Sequence, residues 1–183
     1  MPETGWVSVS APYVRPRRPG EPDAWAEEAA QQGRVGTHQL RSVEEIRPPG
    51  KVADAFGFGP DDTAIVRRRL VLLDERPTEL ADSYYPSEIA RDTRLAESRK
   101  IPGGALSMLA ELGYQPHSAE ERVAARPSTE SEQQELDIRP EDWVLELTRV
   151  LRTSDGMPIE VTVMTMVADD RELRYKMIVH EES

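Results

Sequence analysis

Twice in this chain a β-prone run reaches a tight turn and a second β-prone run follows. The first case is Thr63–Pro86, TAIVRRRLVLLDERPTELADSYYP, with its turn at Asp74–Pro77. The second is Trp143–Arg152, then Ser154–Asp155–Gly156, then Pro158–Val167; an Asp-Gly between two β-rich runs is a strong hairpin signal. Two long hairpins commit a chain of this size to an antiparallel sheet. The segments between them carry helical signals, so the expected fold is α+β, an antiparallel sheet with helices packed against it.

The helical signals are local and chemical. Asp23 is placed to cap AWAEEAAQQ, which Gly33 ends, and Trp25 and Ala29 at i, i+4 would dock that helix. Lys51–Phe56, closed by Gly57, buries Val52 and Phe56. Ser87–Leu95 reads as a turn or a short helix. After the Ile101–Gly104 loop, Leu106, Leu109, Ala110 and Gly113 follow the helical period. Thr129 and Glu132 stand at capping-box spacing. Val35–Ile46 and His117–Arg126 read as further strands. In Val35–Ile46 the alternation breaks: Val35, Thr37 and Val43 share a phase that Leu40 and Ile46 do not. Arg174–His180 reads as a last strand, with Tyr175, Met177 and Val179 on one face. Residues 1–22 hold five prolines, which exclude a helix; they read as a linker with one short extended piece at Trp6–Val9, and the domain proper as 23–183.

Composition narrows the function classes. The net charge of -11 makes a poor nucleic-acid surface, and Arg15, Arg17 and Arg18 form a small basic cluster in the linker, read as solvated. Cysteine is absent, so thiolate nucleophiles and Cys-based metal sites are excluded. The sequence shows no membrane-length apolar run and no signal-peptide pattern, which makes the cytoplasm the default compartment. His38, His117 and His180 are far apart and form no metal spacing, and no cofactor is called for. There is no Gly-x-Ser-x-Gly, phosphate-binding loop or dinucleotide fingerprint, so the reading is not an enzyme.

The chemistry gathers on the hairpins. Arg67 and Arg69 share a strand face with Ile65, Val71 and Leu73. Guanidinium groups among apolar neighbours require a partner. It is either a protein carboxylate such as Glu79 or Asp82, or an acidic small molecule gripped bidentately. Glu160 shares a face with Thr162, Met164 and Met166, where it either meets a ligand or pairs with an arginine. Met166 and Met164 offer an adaptable pocket wall or ordinary core packing. Tyr84 and Tyr85 point to opposite faces, so one of them can line a pocket. Arg149 reads as structural, and Trp143, Leu145 and Leu147 as core. The two hairpins together are expected to wall a ligand pocket.

The order of these motifs resembles a known family. It runs from a strand arginine through the Asp-x-x-Pro turn, Ser-Tyr-Tyr-Pro and Gly-Gly, to a helix ending Leu-Gly-Tyr. A strand arginine and Asp-Gly-x-Pro-Ile-Glu-Val complete it. From about Trp25 to Val179 the chain is similar to the C-terminal effector-binding (UTRA) domain of GntR-type transcription regulators of the HutC subfamily. The resemblance implies a sheet of chorismate-lyase type, a small-molecule effector site on it, homodimerisation, and a repressor whose DNA contact is made through a winged-helix domain not present in this chain. It places effector contacts at Arg69 with Arg67 beside it, at Asp82 and Tyr84 on the returning strand, at Gly103 and Gly104 before the helix, and at Glu160. The alternative on the same fold is a chorismate-lyase-like enzyme acting on a small aromatic acid.

Overall fold

The computed structural model describes residues 6–9, 11–17, 21, 23–169 and 171–176. In chain order the elements are β1 (Trp6–Val9), a 3-10 turn (Ala11–Val14), α1 (Ala24–Gln31), β2 (Gly36–Ile46), α2 (Gly50–Phe56), β3 (Ala64–Leu73), β4 (Arg76–Pro86), α3 (Ser87–Ala90), a second 3-10 turn (Arg94–Ala96), α4 (Ala105–Glu111), β5 (Ser118–Pro127), α5 (Glu130–Leu136), β6 (Trp143–Arg152), β7 (Pro158–Val167) and β8 (Arg171–Arg174).

Six strands form one sheet in the order β2-β3-β4-β7-β6-β5, every neighbouring pair antiparallel. The two hairpins are joined side by side through β4 and β7, giving the α+β architecture of chorismate-lyase type. The helices start where side chains can cap them. The Asp23 carboxylate accepts from the Ala26 amide at 2.9 Å, and Thr129 with Glu132 closes a capping box on α5. Val52 and Phe56 of α2 pack on Ala64, Val66, Tyr84 and Val161, and Leu136 of α5 packs on Leu70, Leu72 and Val144. The opposite face of the sheet carries two apolar clusters. Trp25 and Ala29 of α1 meet Val71, Ala81, Leu147, Met164 and Met166, whereas Ile89, Leu95 and Leu109 meet Ile65, Tyr85 and Ile159. Each large side chain buried this way stabilises by about 1.5–3 kcal/mol.

Three register shifts decide which side chains face which layer. An extra residue opposite a partner strand turns every later side chain to the other face. In β2 the shift falls between Leu40 and Ser42, so His38 and Leu40 before it share a face with Val43 after it. That accounts for the broken alternation in the sequence and moves Thr37, exposed, out of the phase expected for it. In β4 the shift leaves Thr78 unpaired: Leu72 pairs with Pro77, yet Val71 pairs with Glu79. The Thr78 hydroxyl donates to the Val71 carbonyl at 3.3 Å, fixing the bulge. In β7 the extra residue is Ile159, between the Arg152–Pro158 and Leu151–Glu160 pairs.

Three expectations change. The last strand spans Arg171–Arg174 and pairs in parallel with β1, so it ends before Tyr175; positions 177–180 of the expected strand lie outside the described residues. The stretch expected to be a linker is held to the domain. Besides the β1–β8 pairing, the Arg17 amide donates to Ser107 Oγ at 3.0 Å, and that hydroxyl donates to the Arg17 carbonyl at 2.8 Å. Trp143, expected in the core, is 53% exposed, because it opens β6 opposite Pro127 of the edge strand β5.

Candidate functional site

Between the sheet and the layer made by α1, the N-terminal segment and the loop before α4 lies a cavity of about 580 Å³. Its floor is read directly from the strand register. One row crosses β3, β4, β7 and β6 as Arg67, Ser83, Thr162 and Arg149, ending at Glu121 of β5. The next row is Arg69, Ala81, Met164 and Leu147. Beyond it stand Val71, Glu79 and Met166; on the other side stand Tyr85 and Glu160. A polar band therefore crosses the sheet between two apolar clusters.

The polar band is internally wired. Arg69 Nη2 donates to Ser83 Oγ at 3.0 Å, and Ser83 Oγ and Thr162 Oγ1 lie 2.9 Å apart. Thr162 donates to Glu160 Oε1 at 3.1 Å. Because the Thr162 proton goes to Glu160, the Ser83 proton goes to Thr162, and the chain runs from guanidinium to carboxylate through two hydroxyls. Burial of Tyr85, then the Glu160 charge, pushes its phenol well above the ordinary range. Among the described residues Arg69 makes no ion pair, and its Nε–H is shielded from solvent without an acceptor. An unsatisfied buried donor costs about 1–3 kcal/mol.

Two neighbouring cations of the sheet are committed. Arg67, 6% exposed, donates to the carbonyls of Leu95 at 2.9 Å, Glu97 at 2.7 Å and Arg99 at 2.7 Å, with a longer contact to Arg94. It lines the cavity but spends its fork on the loop that walls it, which corrects the shared effector contact expected for it. Arg149 also lines the cavity, and its Nε meets Glu121 Oε1 at 2.6 Å in a buried ion pair. Glu79 adds a carboxylate whose burial raises its pKa, against the opposing charges of Arg171, Arg69 and Arg149. His38 is held below its usual value by burial and by the Arg69 charge, so it is neutral at pH 7.

Of the residues singled out in the sequence, the structure brings Arg67, Arg69, Gly103, Gly104, Glu160 and Met166 to the cavity. Asp82 and Tyr84 are on the other side of the sheet, and this is a correction with a definite cause. Counting back from the Asp74–Glu75 turn without a bulge pairs Arg67 with Asp82, whereas the Thr78 bulge pairs Arg67 with Ser83. Asp82 then faces Arg68, 3.6 Å away, and Tyr84 packs toward α2; Ser83 and Tyr85 take the cavity face. The Gly104 amide, expected to face a ligand, donates instead to the Ile101 carbonyl at 2.9 Å, and α4 is a helix of only seven residues. Gly103 sits at φ +76 against Ser107, where a Cβ would come within 3.3 Å. Sequence reasoning missed Tyr13, Arg15 and Arg17 of the N-terminal segment and Arg171 of β8, all on the cavity wall. Nothing local in those residues foretells that β1 folds back beside β8.

A sheet of this topology, with helices packed on it and a cavity on one face, defines an α+β domain of chorismate-lyase type. The UTRA domain profile matches residues 31–171, and the chain belongs to the UTRA domain family. A relative from Streptomyces coelicolor, the HTH-type transcriptional regulator SCO4628, is 32% identical over 128 residues, which is 68% of this chain and 48% of that protein. The chain thus spans about half the length of that curated relative. Among solved structures, a protein assigned to the GntR family of transcriptional regulators superposes with a TM-score of 0.81 at 20% identity, covering 97% of this chain and 71% of that one. The effector domain of PhnF from Mycobacterium smegmatis superposes with a TM-score of 0.72 at 16% identity, covering 89% of this chain and 99% of that one. That curated relative is described as a transcriptional regulator. At these identities the structural likeness establishes the fold.

Proposed function

We propose that this chain is the effector-sensing domain of a cytoplasmic GntR-type transcription repressor of the HutC subfamily, and that a small polar or anionic metabolite binds the cavity at Arg69. The observation that carries the reading is a cavity of about 580 Å³, large enough for a metabolite, whose lining brings Arg69, Ser83 and Glu160 together. Ser83, Glu160 and Met166 complete the contact set. DNA contact belongs to a winged-helix domain elsewhere in the longer protein. The effector acts by binding two arrangements of a homodimer with different affinity. The homodimer reading is supported by β5, a ten-residue edge strand exposed along most of its length, with Val123 45% exposed. Among the described residues no helix is long and apolar enough to cross a membrane.

A metabolite screen by thermal shift tests the reading, because a ligand bound only by the native state raises Tm. A hit is expected to lose its shift in Arg69→Met and to change the operator affinity of the longer protein. A hit whose shift is indifferent to Arg69→Met refutes the site, and turnover of chorismate by the chain refutes the sensor role. Sedimentation as a monomer at micromolar concentration refutes the dimer.

A further inference from the structure

The cavity and the chain that holds it carry opposite charge. The sequence has 34 acidic against 23 basic side chains, whereas seven cations and four carboxylates line the cavity. Most of those cations have a protein partner. Arg67 donates to backbone carbonyls, Arg69 to Ser83, Arg149 to Glu121 and Arg17 to Glu27, and Arg171 reaches the Thr78 carbonyl at 3.5 Å. Arg15 and Lys100 are different: both are exposed, both line the cavity, and neither makes a hydrogen bond or an ion pair among the described residues. The carboxylates of the N-terminal wall are occupied. Asp23 caps α1 and stands 3.9 Å from His38, and Glu21 has a partner of its own.

The fold brings these two cations to one cavity from segments far apart in sequence. Arg15 belongs to the N-terminal segment and Lys100 to the loop before α4. The Arg17 amide donates to Ser107 Oγ at 3.0 Å, and the Arg17 carbonyl lies 3.8 Å from where a Gly103 Cβ would stand. This clasp fixes the segment just after Arg15 against the loop just after Lys100. Burial, then the Arg69 charge, lowers the His38 pKa, and the Lys100 charge adds to the effect, so its field reaches into the cavity. An isolated surface cation is ordinarily solvated and contributes little. Two cations on the wall of one cavity act together, because low-dielectric walls focus their field on the enclosed space. Arg15 also precedes residue 31, where the match to the UTRA profile begins, so it comes from outside the region the family shares.

Resting on the effector-sensing reading above, we propose that Arg15 and Lys100 form an anion subsite at the N-terminal wall of the cavity, separate from the polar band of the sheet. It takes a carboxylate or phosphoryl group at the end of the effector that faces away from the sheet. The guanidinium offers a planar fork and the ammonium a point charge, a combination that suits an oxyanion. An anion held there ties the N-terminal segment to the loop before α4 a second time, beside the Ser107 clasp.

NMR titration of the 183-residue chain with inorganic phosphate and with acetate, at constant ionic strength, tests this. The signals read are those of Arg15, Lys100 and Gly103 to Ser107. Saturable shifts are expected, and Arg15→Gln and Lys100→Gln should each raise Kd about three- to fivefold, the scale of one partly exposed charge contact. The double variant should lose saturable binding, Arg15→Lys should keep part of the affinity, and Arg122→Gln on β5 should change nothing. Binding that depends on both positions supports the subsite; tighter phosphate assigns it to a phosphoryl group and tighter acetate to a carboxylate. Shifts that do not saturate, or saturable binding that neither substitution weakens, overturn it. A metabolite from the thermal-shift screen whose Kd ignores Arg15→Gln and Lys100→Gln but responds to Arg69→Met overturns the subsite and leaves the effector-sensing reading intact.

Discussion

Replacing Arg67 and Arg69 in turn by methionine separates two arginines that stand two residues apart on one strand. Arg67 makes three short hydrogen bonds to the carbonyls of Leu95, Glu97 and Arg99. Bonds to a charged donor contribute about 1.5–3 kcal/mol each, and orphaned carbonyls lose about 1–3 kcal/mol apiece when water cannot reach them. The loop carrying these carbonyls is partly exposed, so water recovers some of the loss, and removing a buried charge returns some desolvation. The net expectation for Arg67→Met is a loss of about 3–5 kcal/mol, the range for breaking a buried charged contact. At about 2–4 °C per kcal/mol for a chain of this size, Tm falls by about 6–20 °C. Arg69→Met removes one hydrogen bond to Ser83 and also an unsatisfied Nε–H, two effects of similar size and opposite sign. Its expected stability change is within about 1 kcal/mol of zero. Urea unfolding of both variants measures the difference, and hydrogen exchange should show faster opening at 94–99 only in Arg67→Met. Equal destabilisation by the two substitutions would refute the assignment of Arg67 to the scaffold and Arg69 to the ligand.

Other consequences are equally direct. Hydrogen bonds from Arg126 hold the Glu132 carboxyl at about 2, below its ordinary value. A depressed carboxyl contributes stability above its unfolded pKa, lost as pH falls through the folded one, so Glu132→Gln should flatten the loss of stability between about pH 4.5 and about pH 2 in acid titrations. Gly36 has no room for a methyl, which would lie 2.8 Å from the Ala29 Cβ and the Trp25 carbonyl. Gly36→Ala should cost about 1–3 kcal/mol in chemical unfolding and weaken any ligand that touches Trp25. Arg149→Met breaks the ion pair with Glu121 and should cost about 3–5 kcal/mol, much of it recovered when Glu121→Met is added; a double variant as unstable as the single one would show that the pair is not the cause.

Much of the fold was legible because its signals are local. Asp23, Thr129 and the Asp155–Gly156 turn announce their elements through chemistry within a few residues, and both hairpins lie where the turns put them. The candidate site was half legible. Arg67, Arg69 and Glu160 declare themselves as charges on apolar strand faces, and the structure gathers all three at one cavity. Asp82 and Tyr84, placed at the site by resemblance, face the other side of the sheet because Thr78 is unpaired. A bulge has no strong sequence signature, yet it reverses the facing of everything after it. A second bulge at Ile159 places Glu160 on the same face as Arg149, two residues that an unbulged pairing would set apart. The N-terminal wall was illegible for another reason. Its contacts with Ser107 and β8 join positions distant in sequence, and proline-rich composition reads the same in a free tether and a fastened one.

β1 and β8 lie side by side in parallel, although they come from opposite ends of the described chain. Tyr13, Arg15 and Arg17 after β1, and Arg171 and Leu173 of β8 itself, line the cavity. A molecule filling that cavity therefore touches the paired strands directly, with no need for a relay through the interior of the sheet.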